Sequence, residues 1–550
     1  MNTVKREELA QKIIKRYNKL VLERTNFEEF FRDVRNYIRP TKQAVDSSDL
    51  TVAQRFTNKR FDSTASEASR IMATSMQNAL IPQSSRWFGL KIPDGHPMGI
   101  LNNFNPVSAW FQESSMRIFN SLHSSNFYTV MGEAFYDFVT FGTINILIEE
   151  KDLKDENFAG FNFKGIPVGR FVFDEDYTGK TDTVYWEYTR TARQMHQEFE
   201  KKMLPDAVVE CLEDNPDKQF TVIKCIKPNE DKEYGKADSF GFTSYDVEKS
   251  SKLVLNESGF NDLPFVVARF ERVTGELWGR SPADIAMPDI ISLNRLREME
   301  LKALSKAVDP PILAPDENIL GTFRLNPNAI NFTRDPERWK FMRFEGRLDF
   351  SSLKANELKQ SIRNIYLADQ LILPEKLNMT AEEIITIRQQ QQRLLGPQIA
   401  RMEAECLGPI ITRCFNIMLR SEGLPPAPEE LSGLDEIEIQ YLGPIARTQR
   451  LEGMQSAQAW VQQLVSVASV KPEVLDHLDS DALADYIADM TSVPHQVRAS
   501  DEAIAQAREQ RAKVEAENRQ MAMNQQLAET ANKAAPAVKE LSEVPIGLFQ

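Results

Sequence analysis

Cysteine is scarce in this chain, with Cys211, Cys225, Cys406 and Cys414 the only four among 550 residues. They are too few and too scattered for a disulfide framework, and a reducing cytoplasm is the compartment they suit. Histidine is nearly as sparse. His96, His123, His196, His477 and His495 lie far apart, and no cysteine pair has ligand spacing, so no metal site is expected. No apolar run approaches the ~18 residues of a membrane span. The first residues, Met-Asn-Thr-Val-Lys-Arg-Glu-Glu, lack the apolar core of a signal peptide. A membrane partner is therefore not expected.

Catalytic signatures are missing too. Gly179-Lys180-Thr181 resembles the end of a phosphate loop, but Asp174 stands where the earlier glycine belongs. Asp174, Asp176, Thr178 and Gly179 imitate the start of a calcium loop, yet its twelfth position is Tyr185 rather than Glu. A β-turn accounts for the segment better. There is no nucleophile elbow and no dinucleotide fingerprint. Nothing anchors an enzyme, and no cofactor is expected.

What is present is size, acidity and helix. The length allows several domains, and a hydrophobic content of 42% allows real cores. The formal net charge of −14 argues against a protein that coats nucleic acid. The charge is uneven: residues 1–60 carry fourteen Lys/Arg against eight Asp/Glu, and the remainder 52 against 72. Two readings of the basic segment stand side by side: a solvated helix face, or contact with a polyanion or acidic partner.

Leu9, Ile13, Tyr17, Leu20, Phe27, Phe31, Val34 and Ile38 recur at helical spacing and predict a helix over 4–38 that Pro40 ends. Helices are also predicted over 63–80, 106–122 and 128–141. The pattern then shifts to short β-branched and aromatic runs at 143–149, 169–173, 183–189, 219–225, 252–256 and 265–270, with a helix inserted at 191–204. This middle region is an α+β unit. Farther on, Thr380 and Glu383 form a capping-box pattern opening a helix to about residue 419, kinked near Gly396-Pro397 and Gly408-Pro409. Pro425-Pro426-Ala427-Pro428 marks a boundary. Residues 437–441 suit a strand, the rest is mostly helical, and 535–550 suit a flexible tail.

The most informative stretch runs from Trp278 to Pro311. Ser281 is a good N-cap, Pro282 suits the first helical position and Asp284 follows the cap by three. Pro310-Pro311 stops the helix near Val308, giving a rod roughly 40 Å long at 1.5 Å per residue. Pro288 either kinks it or marks its true start. A second helix is predicted over 351–371. Apolar residues Leu293, Leu296, Leu304 and Ala307 on the first, and Leu358, Ile362 and Ile365 on the second, make stripes for neighbouring copies to bury. That pattern points to assembly rather than catalysis.

Three segments resemble the portal, or head-to-tail connector, proteins of short-tailed bacteriophages. One is Phe61-Asp-Ser-Thr-Ala65 with the small-residue helix leading to Pro82 and Ser85-Arg-Trp-Phe-Gly-Leu90. The second is Phe173-Asp-Glu-Asp-Tyr-Thr-Gly-Lys-Thr-Asp-Thr-Val-Tyr185. The third is Gly275-Glu-Leu-Trp-Gly-Arg-Ser-Pro282 through Leu-Asn-Arg295 to Pro310-Pro311. The order of elements fits over roughly residues 1–500.

The resemblance implies an α+β, mainly helical portal fold assembled as a ring of twelve at one capsid vertex. Double-stranded DNA would enter through the channel during packaging and leave through it on infection, without sequence specificity. It implies a wing at 1–280, a stem of two helices at 281–308 and 351–371, and a clip at 309–350. A tunnel loop at 372–380, a kinked wing helix at 381–424 and a crown at 425–534 complete the map. Implied partners are a terminase motor, tail adaptor proteins, and capsid and scaffold proteins. The implied location is the virion, after assembly in the host cytoplasm.

On that map the stem's basic residues are Arg295, Arg297, Lys302, Lys306, Lys354, Lys359 and Arg363, which either face DNA or form helix-surface salt bridges with Glu298, Glu300 and Glu357. Leu373, Pro374, Lys376, Leu377 and Met379 belong to the tunnel loop, with Lys376 its one cation. Trp339, Phe341 and Phe344 offer the clip an aromatic interface. Two alternatives stand beside the portal reading: a non-channel structural or scaffold protein of a virion, and a nucleic-acid enzyme.

Overall fold

The computed structural model describes residues 3–42, 44–46, 60–93, 95–151, 158–229, 240–308, 312–313, 340–341, 348–371, 394–431, 437–442, 456–467 and 501–541, with a few isolated positions near 480. The chain divides into two compact units. The larger comprises Met1–Lys91, Gln112–Ala427 and Leu434–Thr448; the second comprises Ile92–Phe111, Pro428–Gly433 and Gln449–Gln550.

In the larger unit, α1 (Thr3–Asp33) passes into a π-helical turn, Val34–Ile38, and α2 (Thr64–Leu80) follows. Strand β1 (Phe88–Lys91), α3 (Asn105–Ser124), which belongs to this unit from Gln112 onward, and α4 (Phe127–Phe141) lead into the α+β region. There β2 (Thr143–Glu150), β3 (Phe161–Ile166), β4 (Phe171–Glu175), β5 (Thr181–Thr191), β6 (Gln219–Pro228), β7 (Phe242–Glu248), β8 (Leu253–Phe260) and β9 (Phe265–Arg269) form two antiparallel sheets, β3-β2-β9 and β4-β5-β6-β7-β8. Between β5 and β6 lie α5 (Ala192–Glu198) and α6 (Asp206–Asp214), over a small core of Met195, Phe199, Leu204, Val208, Phe220 and Leu255. The predicted single helix over 191–204 is thus shorter and paired. Thr191 and Gln194 build the capping box that opens it, and Pro205 separates the two.

Strands β3 and β7 escape a hydrophobicity pattern. Gly165 interrupts β3, and β7 turns polar side chains inward: Ser244, Asp246 and Glu248 are buried. The two carboxylates are satisfied, Glu248 by the Ser250 and Ser251 N–H groups, whereas the Ser244 hydroxyl is buried without a hydrogen-bond partner among the described residues. Asp246 takes bonds from the Tyr188 hydroxyl at 3.2 Å and from Asn256 at 3.4 Å, and pairs with Lys224 at 3.1 Å.

After β9 come α7 (Pro282–Val308), the two-residue strands β10 (Ile312–Leu313) and β11 (Lys340–Phe341), α8 (Leu348–Ile365) and α9 (Ala368–Leu371). Helix α7 runs unbroken through Pro288, so its start is Pro282. Residues 394–402 are helical, Glu403–Leu407 form a π turn, and α10 spans Gly408–Arg420. The expected disturbance at Gly408-Pro409 takes this form because Pro409 offers no N–H to the preceding turn. Strand β12 (Glu438–Tyr441) pairs antiparallel with β1, Phe88 opposite Tyr441. In the second unit, α11 runs Asp501–Leu541, past the expected start of a tail at 535. The capping-box pattern at Thr380 and Glu383 lies outside the described residues.

Candidate functional site

The three sequence segments singled out above meet in space around the base of α7. Trp278 is almost fully buried, with the rings of Phe31, Phe171 and Phe173 at 5.8, 5.4 and 5.3 Å. This cluster joins α1, β4 and the entry to α7. Arg24 of α1, also fully buried, pairs with Glu28 at 3.3 Å and donates to the Phe171 carbonyl at 3.0 Å. Glu175 of the second segment holds Arg269 and, at 2.8 Å, Arg272. Arg269 also pairs with Glu405 at 3.2 Å, tying the π turn to β9.

The start of α7 is locked to the end of α4. The Ser281 hydroxyl donates to the Thr140 carbonyl at 3.0 Å, while the Asp284 carboxylate accepts the Ser281 N–H at 2.8 Å. The capping pattern is therefore half used: Asp284 closes its arm, and the serine hydroxyl is spent on α4.

Helices α7 and α8 pack antiparallel. Asp289 accepts the Ser361 hydroxyl at 2.7 Å, and Glu300, eleven residues on, accepts the Ser351 hydroxyl. The hub of the pair is Asp62, the residue sequence reasoning quoted without a role. Its carboxylate, 8% exposed, lies 3.2 Å from Lys359 of α8 and 3.8 Å from Arg297 of α7, and accepts the Thr64 N–H at 2.8 Å. Burial alone would raise the Asp62 pKa, but the bonds from Thr64 and the Lys359 charge prevail and hold it below the ordinary value. Asn294 completes the joint: its amide oxygen accepts the N–H groups of Phe61 at 2.8 Å and Asp62 at 3.2 Å. A buried Asn on an otherwise apolar helix face was the available signal.

Five of the seven basic stem residues lie in ion pairs with carboxylates of their own chain. Besides Lys359 with Asp62, Arg297 pairs with Glu300 at 2.6 Å, Arg363 with Asp369 at 2.5 Å, Lys302 with Glu298 at 2.6 Å and Lys354 with Glu357 at 2.9 Å. Arg295 and Lys306 are exposed, and among the described residues neither has an ion-pair partner. Lys302 and Lys354 are also exposed, and such surface pairs contribute only ~0.3–0.5 kcal/mol, so both remain free to exchange partners.

The apolar stripes divide in a way spacing alone could not tell. Leu293 and Ile362 are buried within the chain, and Leu296, Leu358 and Ile365 are half-buried. Leu293 and Ile362 therefore need no neighbour, while Leu296, Leu358 and Ile365 keep part of their surface open. Leu301, Leu304 and Val308, three, four and seven residues apart and beginning eleven residues after Ile290, continue the face of Ile290 and Leu293, yet are 53%, 52% and 79% exposed. Along one face, α7 is thus buried in its first half and open in its second.

Strands β10 and β11, Ile312 opposite Phe341, close the base of the segment between the two helices. Of the aromatic trio only the backbone of Phe341 falls among described residues; Trp339 and Phe344 lie outside them, as do Leu373, Pro374, Lys376, Leu377 and Met379. Among the described residues no group of His, Cys, Asp and Glu could hold a metal, and no helix is long and apolar enough to cross a membrane. The turn at 176–180 is an Asx turn, Asp176 accepting from the Thr178 N–H at 2.8 Å, its hydroxyl at 2.6 Å and the Lys180 N–H at 3.0 Å.

The sequence profile of the family described as "Bacteriophage head to tail connecting protein" matches residues 10–498, ending just before α11. Over 535 residues, 95% of this chain and 94% of the relative, the chain is 27% identical to a portal protein of Salmonella phage epsilon15. With the same coverage it is 26% identical to a probable portal protein of Bordetella phage BPP-1.

Proposed function

This chain belongs to the family of bacteriophage head to tail connecting proteins, and from that premise we propose that it forms a closed ring of twelve around a channel for double-stranded DNA at one capsid vertex. In this reading it is a structural component of the virion, not an enzyme. The ring admits DNA driven by a terminase motor, releases it on infection, and carries the tail adaptors on its outer end.

The observation that carries the reading is the open half of α7. Leu301, Leu304 and Val308 prolong a face that the same helix buries earlier. Large apolar side chains in register on an exposed helix call for a neighbour, and a closed ring supplies one to every copy. The α7–α8 pair is then the stem, the segment between β10 and β11 the clip, and residues 372–380 the tunnel loop. Trp339, Phe341 and Phe344 serve clip contacts with motor and tail.

Arg295, Lys302, Lys306 and Lys354 are the stem cations best placed to meet passing phosphates. Arg297, Lys359 and Arg363 serve the fold. A conduit must pass DNA, and each phosphate–Lys contact adds a salt-dependent grip, so a chain of net charge −14 with a few exposed cations suits the task. The tunnel loop acts as a valve, with Leu373, Leu377 and Met379 narrowing the channel, Pro374 interrupting helix and Lys376 touching DNA. Replacing residues 373–378 by a short Gly-Ser bridge tests this. Rings that package but leak DNA support the valve; rings that retain full genomes leave the loop a hinge.

The ring itself is tested by electron microscopy of the purified protein. Annular particles with a central opening are expected, and compact particles without one contradict the proposal.

A further inference from the structure

On α1, Lys12, Lys15, Arg16 and Lys19 are all exposed. Their spacings of three, four and seven put them on one outer face. Arg16 is engaged by Asp174. Among the described residues Lys12, Lys15 and Lys19 have no ion-pair partner, although Glu8 and Glu23 flank the stripe. On α6 and the turn after it, Asp206, Glu210, Glu213, Asp214 and Asp217 are exposed. They too recur at three, four and seven, and none has an ion-pair partner among the described residues. Lys201 and Lys202 lie nearby, with Lys202 engaged by Glu200 at 2.6 Å.

Each stripe costs its own helix. Lys12 with Arg16, Lys15 with Lys19, Asp206 with Glu210 and Glu210 with Asp214 are like charges at i,i+4. Glu213 and Asp214 also sit in the last turn of α6, where the helix dipole disfavours negative charge. Arg6 of α1 reaches Met203 just before α6 at 3.0 Å, and the stripes of opposite sign and equal spacing on α1 and α6 can complement each other between copies in a head-to-tail contact, which closes into a ring where the rotation allows.

We propose that the Lys12–Lys15–Lys19 face of α1 docks on the Asp206–Glu210–Glu213 face of α6 of the next copy. This rests on the ring reading above and names one of its contacts. The occupant is a second copy because the complementary stripe is on this chain.

The test uses the full-length chain in three forms: Lys12→Glu/Lys15→Glu/Lys19→Glu, Asp206→Lys/Glu210→Lys/Glu213→Lys, and the combination. Circular dichroism checks folding, and sedimentation velocity reads assembly at about 50 mM and about 500 mM salt. Each reversal alone is expected to raise the concentration for half-assembly at least about tenfold at low salt, and the combination to return it to within about threefold of the parent. Reversals that assemble like the parent, or a combination no better than either, overturn the pairing. Should a reversal unfold the chain, carbodiimide coupling of mixed light and heavy isotope-labelled parent decides. Mixed cross-links between the α1 lysines and α6 carboxylates are expected, and their absence overturns the pairing. A parent that stays monomeric overturns the ring reading, whereas ring-forming parent with insensitive variants overturns this contact alone.

Discussion

Asp62 and Lys359 stand 3.2 Å apart, joining the loop before α2 to the middle of α8 nearly three hundred residues later. With Arg297 on the facing helix, this contact fixes the middle of the α7–α8 pair to the loop before α2. Asp62→Asn removes the charge while keeping the shape. Lys359 and Arg297 are each about a third exposed and can rehydrate, so the expected loss is only ~1 kcal/mol. The carboxyl titrates below its ordinary value in the folded chain. The loss should therefore be full above the ordinary carboxylate range and vanish as pH falls through the lowered folded pKa. Melting curves of parent and variant that stay equally far apart in acid would contradict this.

Gly279 and Gly275 should respond differently to alanine. A Cβ on Gly279 would lie 2.3 Å from the Gly142 carbonyl oxygen and 2.8 Å from the Arg269 Cβ, in a joint with little slack. Gly279→Ala is expected to cost about 3 kcal/mol or more and to cut soluble yield. A Cβ on Gly275 meets open space, so only its φ of 91° opposes the change, at about 1 kcal/mol. Equal melting temperatures for the two variants would refute the close approach.

Leu293 and Leu304 test the division of α7. Leu293→Asp places a charge in the core and should abolish folding. Leu304→Asp, at an exposed position, should leave the monomer's melting transition nearly unchanged while reducing assembly in light scattering. A Leu304→Asp protein that assembles like the parent would show that the open half of α7 is not an interface.

Glu403 supplies a second pH dependence, opposite in sign to that of Asp62. Burial in the π turn, beside the bond from the Tyr441 hydroxyl to its carbonyl, raises its pKa from 4.5 to about 7. The folded chain favours the neutral acid, so this contribution is intact below about 4.5 and lost as pH rises through about 7. Glu403→Gln should match the parent in mild acid and exceed it in stability above neutrality. Parallel stability curves across that window would rule the effect out.

The elements legible from sequence were those with one apolar face. The α1 periodicity from Leu9 to Ile38, the α7 boundaries at Ser281 and Pro310-Pro311, and the strand at 437–441 correspond to observed elements. Strand β7 was hidden because its buried positions Ser244, Asp246 and Glu248 are polar, and Asp246 is compensated by Tyr188 and Lys224, which only the folded sheet brings to it. Within the candidate site, the local partners Glu298, Glu300 and Glu357 were legible from helical spacing, and Arg297, Lys302 and Lys354 pair with them, but the distant partner Asp62 was not. Asp62 lies more than two hundred residues from Arg297 and nearly three hundred from Lys359, and spacing carries no information about such pairs. The same limit separated Leu293 from Leu304. Both belong to one helical face, and only the tertiary fold determines which half is covered.

The central claim is the ring, and native mass spectrometry of the purified full-length protein, paired with electron microscopy of the same sample, tests it most directly. The account predicts a dominant species of twelve 62.8 kDa chains, seen as annular particles with a central opening. A sample that remains a single 62.8 kDa chain at micromolar concentration across a range of salt, with no annular particles, would contradict it.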